Sequence, residues 1–157
     1  MAYTMKVIIT ESQSNEMLYR KWKRDNVTYR GMKAIGQPNE RVGNTMGDGL
    51  YTVPASNKLM AKTYGDLYYV VNGKPQTPKI FNTLNDWEIW FQGTMLQQYD
   101  YDRRLFDKAT NIRDEMLKLG YDGIIIKGRE MVNYTPEDVL YFKTERELEN
   151  YFERLIK

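Results

Sequence analysis

Residues 120–138 read GYDGIIIKGREMVNYTPED, and the fold turns on how this stretch is parsed. The apolar, β-branched run 121–127 has the length and composition of a buried strand. Residues 130–134 alternate and read as a second strand, which Pro136 breaks because it has no N–H to give a ladder. Just upstream, Leu105, Ala109, Ile112, Met116 and Leu119 recur at helical spacing. They predict an amphipathic helix over 102–119 that Gly120 terminates. A helix delivering the chain into a strand pair makes this half mixed α and β.

On the C-terminal side, 140–142 adds an edge strand. Thr144 with Glu147 then has capping-box spacing, opening a helix with Leu148, Tyr151, Phe152, Leu155 and Ile156 inward. On the N-terminal side, Asn85 and Glu88 have the same spacing, ahead of Trp87, Ile89, Trp90, Phe91 and Met95 as core. Residues 67–71 form a strand that the Asn72-Gly73 turn ends. Residues 50–53 form a short strand, and Ser56 caps a helix running to Tyr64 with Gly65 behind it. Residues 27–32 (VTYRGM) form a strand, leading into a loop rich in Gly, Asn and Pro over 36–49. A helix over 14–24, with Met17, Leu18 and Trp22 inward, follows a first strand over 5–10. No regular βαβ rhythm, repeat or linker is present, so the reading is an α+β fold in one domain, 1–157.

Composition removes many chemistries. The chain holds no cysteine and no histidine. That excludes thiolate zinc sites, His-based nucleophile systems and the usual neutral-pH proton shuttle. Disulfides are impossible, and a cytoplasmic setting is the default expectation. The net charge, 23 − 21 = +2, is too small to argue by itself for nucleic acid or a membrane. No run is long enough to cross a bilayer, and 1–10 does not read as a secretory signal.

Three segments stand out together: Tyr29-Arg30-Gly31 at a strand end, Gly47-Asp48-Gly49-Leu50-Tyr51-Thr52 before a helix reaching Tyr64-Gly65, and Gly120–Asp138 with Glu130 opening its second strand. In this order and spacing the set resembles the ADP-ribosyltransferase superfamily over about residues 27–142. The resemblance implies a split β-sheet core with flanking helices and an NAD cleft between the sheets. It implies that Arg30, Gly31, Tyr51, Thr52 and Tyr64 bind NAD, with Gly31 backbone against the carboxamide and Tyr51 and Tyr64 sandwiching nicotinamide. Glu130 would be the catalytic carboxylate, and no metal would be needed.

Two features depart from the family pattern. Arg30 accompanies a Tyr-type rather than a Ser-Thr-Ser second motif, so the set is a mixed Arg-Tyr-Glu one. Gly128 stands where arginine-modifying members carry Glu, which leaves the acceptor open. The implied reaction is mono-ADP-ribosyl transfer to a macromolecule, first of all a protein, inside a bacterial or bacteriophage-infected cell. A non-catalytic module on the same fold, an NAD glycohydrolase and a nucleic-acid modifier are the alternatives. The last has one hint, the basic cluster Arg20, Lys21, Lys23 and Arg24, which equally suits a helix C-terminus. Taken singly, Tyr51 and Tyr64 read as core packing and Glu130 as a solvated strand residue. No Walker or dinucleotide-binding glycine motif is present, and Asp100 and Asp102 read as helix N-terminal acids rather than a cation site.

Overall fold

A computed structural model describes residues 10–33, 46–97 and 109–157, the side chains of 109 and 110 excepted. All of the expected strand over 5–10 except Thr10, and most of the expected 36–49 loop, lie outside these residues, as do Leu105, Asp100 and Asp102. Among the described residues the fold is α+β, with two sheets and five α-helices.

Helix α1 (Glu11–Asn26) opens on a capping box that a reading of 5–10 as strand conceals. Thr10 Oγ1 accepts from the Gln13 N–H, and the Gln13 side chain accepts from the Thr10 N–H. Its inward residues are Tyr19 and Trp22, whereas Met17 and Leu18 are exposed, contrary to expectation. The chain passes straight into β1 (Val27–Met32), whose bounds are the expected ones. Next come β2 (Leu50–Thr52), a 3-10 turn (Ala55–Asn57), α2 (Lys58–Lys62) and β3 (Asp66–Val71). Ser56 caps nothing: Pro54 precedes the 3-10 turn, and no side-chain cap bond forms at either helical start.

Strand β4 (Lys79–Phe81) leads to α3 (Leu84–Trp90), which continues into a π-helical segment, Phe91–Leu96. The cap of α3 is Thr83, through its hydroxyl and the Asp86 N–H, and not Asn85. Ile89 is exposed while Trp87, Phe91 and Met95 are buried. Helix α4 (Ala109–Lys118) holds the described part of the 102–119 helix and stops as expected at Gly120, φ 93°. The Tyr121 N–H reaches Met116 C=O and the Gly120 N–H reaches Leu117 C=O, a Schellman pair. Leu119, at the end of that helix, is exposed. Strands β5 (Gly123–Ile126), β6 (Glu130–Asn133) and β7 (Leu140–Phe142) precede α5 (Glu145–Leu155). Thr144 caps α5, but Glu147 returns to the Lys143 N–H rather than to Thr144. Leu148 and Phe152 are its buried residues; Leu155 and Ile156 are exposed.

The sheets have orders β1-β3-β7 and β2-β6-β5-β4, antiparallel throughout except for β4 with β5. A single antiparallel bridge, Tyr29 with Val53, joins them among the described residues. Two cores follow. One lies on the four-stranded sheet under α3, the π segment and α4, around Trp87, Met95, Met116 and Ile124. The other holds β1, β3 and α2 against α1 and α5, around Tyr29, Val71 and Leu148.

Glu145 ties the second unit together by accepting from Tyr19 Oη and Lys23 Nζ, each at 2.6 Å. Partial burial pushes its pKa up, but the Lys23 and Tyr19 bonds, the Lys23 charge and Tyr69 outweigh this and hold it below 4.5. Its contribution is therefore complete above the ordinary glutamate range and is lost as pH falls through the lower folded value. Urea midpoints measured below pH 5 should fall more steeply with acid in wild type than in Glu145→Gln. In the other unit, a Cβ on Gly123 would sit 2.2 Å from Val132 O and 2.6 Å from Pro75 Cβ, whereas Gly93 has open space. Gly123→Ala should cost about 3 kcal/mol or more by urea unfolding, and Gly93→Ala should be neutral or stabilising by up to about 1 kcal/mol.

Candidate functional site

Three neighbouring strands at the seam between the sheets carry Arg30 and Gly31, Tyr51 and Thr52, and Glu130. Strand β1 carries Arg30, half-buried, whose Nη1 donates to the Tyr51 C=O at 3.2 Å. Strand β2 runs beside β6 in the register Tyr51 to Val132 and Thr52 to Met131. One further step sets Val53 opposite Glu130, and Val53 bridges Tyr29 on its other side. Strands β1 and β6 thus flank β2, with Arg30 level with Thr52 and so on the pleat face opposite to that of Glu130.

Gly31 has a packing reason of its own. A Cβ there would lie 1.6 Å from the Ala61 carbonyl oxygen, so only glycine lets α2 close on β1. Its expected use, a backbone contact to a carboxamide, is additional to that constraint.

Tyr51 and Tyr64, expected to sandwich one ring, sit in different surroundings. Tyr51 is 4% exposed and packs within the core of the four-stranded sheet. Its hydroxyl accepts from the Met46 N–H at 3.1 Å and donates to the Gly47 C=O at 2.6 Å. The Tyr134 hydroxyl donates to the Met46 C=O from beside it. Burial, and then the neighbouring Tyr51, pushes the Tyr134 phenol far above its ordinary pKa, and the two hydroxyls together clamp residues 46–47. Tyr64, just past α2, is 44% exposed. The core role that the spacing of Tyr51 equally allowed is the one it fills, and the open ring is Tyr64.

Thr52 is buried behind Tyr51 in the pleat. Side chains alternate along a strand, so Thr52 and Met131 face away from Tyr51, Val132 and Glu130. Its buried Oγ1, like that of Thr28, has no hydrogen-bond partner among the described residues. Both threonines crowd Gly73, where a Cβ would lie 3.0 Å from Thr28 Oγ1 and 3.5 Å from Thr52 Cγ2.

Glu130 opens β6 and is 2% exposed, with Arg129 Nε 3.8 Å from its Oε1. The preceding loop is pinned where Asn57 Nδ2 donates to the Arg129 C=O at 2.6 Å. A carboxylate this deep is not the solvated strand residue that its sequence position alone suggests. Keeping charge in such a place costs several kcal/mol unless strong interactions offset it. Asn57 carried no signal in the sequence, because its role depends on a contact with a distant loop.

No group of three acidic residues that could hold a metal ion occurs among the described residues, and no described helix is long and apolar enough to cross a membrane. No protein-family model matches the chain, and no curated protein matches it. A solved crystal structure of an anti-CRISPR protein is similar at 15% identity and a TM-score of 0.41, covering 74% of this chain and 94% of its own.

Proposed function

We propose that the chain is an NAD-dependent ADP-ribosyltransferase, with Glu130 as its catalytic carboxylate and Arg30 as its NAD-binding cation. The observation that carries this reading is the Glu130 carboxylate, buried at the head of β6, with β2 between that strand and the β1 strand that carries Arg30. The pair suits NAD by charge. Arg30 would take the pyrophosphate or adjoining ribose through its forked donors, and Glu130 would accept from a ribose hydroxyl.

The reaction breaks the bond between ribose C1′ and the nicotinamide nitrogen. Nicotinamide leaves neutral, so no acid has to protonate it, which suits a chain without histidine. A carboxylate hydrogen-bonded to the ribose 2′-hydroxyl stabilises the oxocarbenium-like transition state. The acceptor nucleophile then attacks C1′ and loses its proton. Tyr64, being exposed, is the residue we assign to nicotinamide stacking, and Tyr51 holds the wall behind Arg30 through its carbonyl.

Incubation with labelled NAD and cell lysate tests this reading. Wild type should label a macromolecule, and Glu130→Gln, shown to be folded by circular dichroism, should lower that labelling at least about a hundredfold. Free ADP-ribose without labelled macromolecule would identify a glycohydrolase. No nicotinamide release by folded wild type would overturn the catalytic reading and leave a non-catalytic module. Tyr51→Phe should behave oppositely to Glu130→Gln, losing about 1–3 kcal/mol of stability because the Met46 N–H and Gly47 C=O lose their buried partner.

A further inference from the structure

A cavity of about 480 Å³ opens between the C-terminal half of α1, the start of β1, the start of α2 and the loop after β3 that carries Lys74. Its rim carries Arg20, Lys23, Arg24, Lys58 and Lys74, and none of the described residues lining it is acidic. The floor is apolar, built from Val27, Tyr29, Pro54 and Met131. Thr28, with its buried hydroxyl unpartnered among the described residues, also lines it. Only Arg20, Lys23 and Arg24 form a cluster in the sequence; the fold brings Lys58 and Lys74 to them.

The rim cations are weakly committed elsewhere. Arg20 pairs with Glu16 and Arg24 with Asp25, but both arginines are about three-quarters exposed, where such pairs contribute little. Lys58 Nζ stands 4.5 Å over the Tyr29 ring, and Lys74 Nζ donates to the Arg24 C=O at 2.9 Å. Burial holds the Lys74 ammonium below its ordinary pKa, and Asp25 offsets this only in part. Lys23 is the exception, because its pair with Glu145 is partly buried.

An apolar floor under a cationic rim matches a ligand with a flat, weakly polar body and anionic groups at its edge. A nucleotide has that build, and the volume falls within the range of small-molecule sites. Arg20 and Arg24 lie four residues apart on one helix, about 6 Å along its axis, so they can follow consecutive phosphates of a strand. An acidic peptide offers the charge but no planar group for the floor.

We propose that this cavity seats one nucleotide of a single-stranded nucleic acid, with its phosphates on the rim and its base on the floor. The inference does not rest on the transferase reading. Met131 faces away from Glu130 across β6, so the bound nucleotide is a docked segment and not the group at Glu130.

The test is fluorescence anisotropy of labelled single-stranded DNA and RNA of about twelve nucleotides, long enough to fill one site, with no NAD present. Wild type should bind more tightly than about 10⁻⁴ M at physiological salt. The Arg20→Ala/Arg24→Ala protein should bind about tenfold more weakly, and its salt slope should shrink by about 1.4. A control with the same charge change, Lys118→Ala/Lys143→Ala, should bind like wild type, with folding of both checked by circular dichroism. A nucleoside monophosphate should compete where inorganic phosphate does not. Absence of binding, equal weakening by the control pair, competition by phosphate alone, or tighter binding of an equally charged acidic peptide would each overturn the proposal.

Discussion

Two backbone hydrogen bonds hold the seam on which the molecule is organised: Tyr29 N–H to Val53 C=O at 2.9 Å and Val53 N–H to Tyr29 C=O at 2.8 Å. They place β1 of the three-stranded sheet beside β2 of the four-stranded one. Net of solvent exchange, such bonds contribute about 1 kcal/mol each, too little to align two sheets alone. Packing does the rest. Tyr29, Val53 and Ala61 belong to one buried cluster, and α2 reaches it because Gly31 leaves room for the Ala61 carbonyl. The reach of Arg30 to Tyr51, and the single strand between Arg30 and Glu130, both follow from this alignment.

The strands were legible where composition is unambiguous. Val27–Met32 has the expected bounds, while Gly123–Ile126 and Glu130–Asn133 fall inside theirs, because β-branched and alternating runs admit few other solutions. Helix faces and caps were less legible. In α1 the inward face runs through the large, partly buried rings of Tyr19 and Trp22 and not through Met17 or Leu18 at neighbouring positions. At α3, Thr83 and Asn85 are both chemically competent caps, and the extended backbone at Thr83 decides between them. Leu119, Leu155 and Ile156 sit at helix ends, where the periodic face runs past the surface it covers. The adjacency of β1, β2 and β6 depends on strand pairing, which no local pattern reveals. Tyr51 was ambiguous for the same reason: a tyrosine that clamps 46–47 has the same sequence signature as one that faces a ligand.

Charge is partitioned along α1 in a way the net value of +2 hides. Its first half contributes Glu11 and Glu16 to a groove shared with Glu149 and Glu153 of α5. Its second half contributes Arg20, Lys23 and Arg24 to the basic cavity. Acids at the start and bases at the end complement the helix dipole, so this arrangement stabilises the helix whatever else it does. The dipole accounts for the α1 residues alone. It gives no reason for Lys58 and Lys74, from other segments, to face the same space, and their convergence separates a local helix preference from a tertiary charge concentration.

Strand β6 is where the two candidate surfaces meet. Glu130 and Met131 are consecutive, so the pleat sends one side chain towards the proposed NAD site and the other to the floor of the basic cavity. Ligands on opposite faces of one strand do not collide, yet each would feel a shift of the backbone between them. The Asn57 bond to the Arg129 carbonyl and the adjoining Pro54-Ala55-Ser56 turn anchor that point from the α2 side. Ser56 and Lys58 flank Asn57 and line the basic cavity. The segment that closes the cavity is therefore also the one that pins the loop ahead of Glu130. An occupant that tightens residues 54–58 would stiffen the carboxylate mounting without touching it.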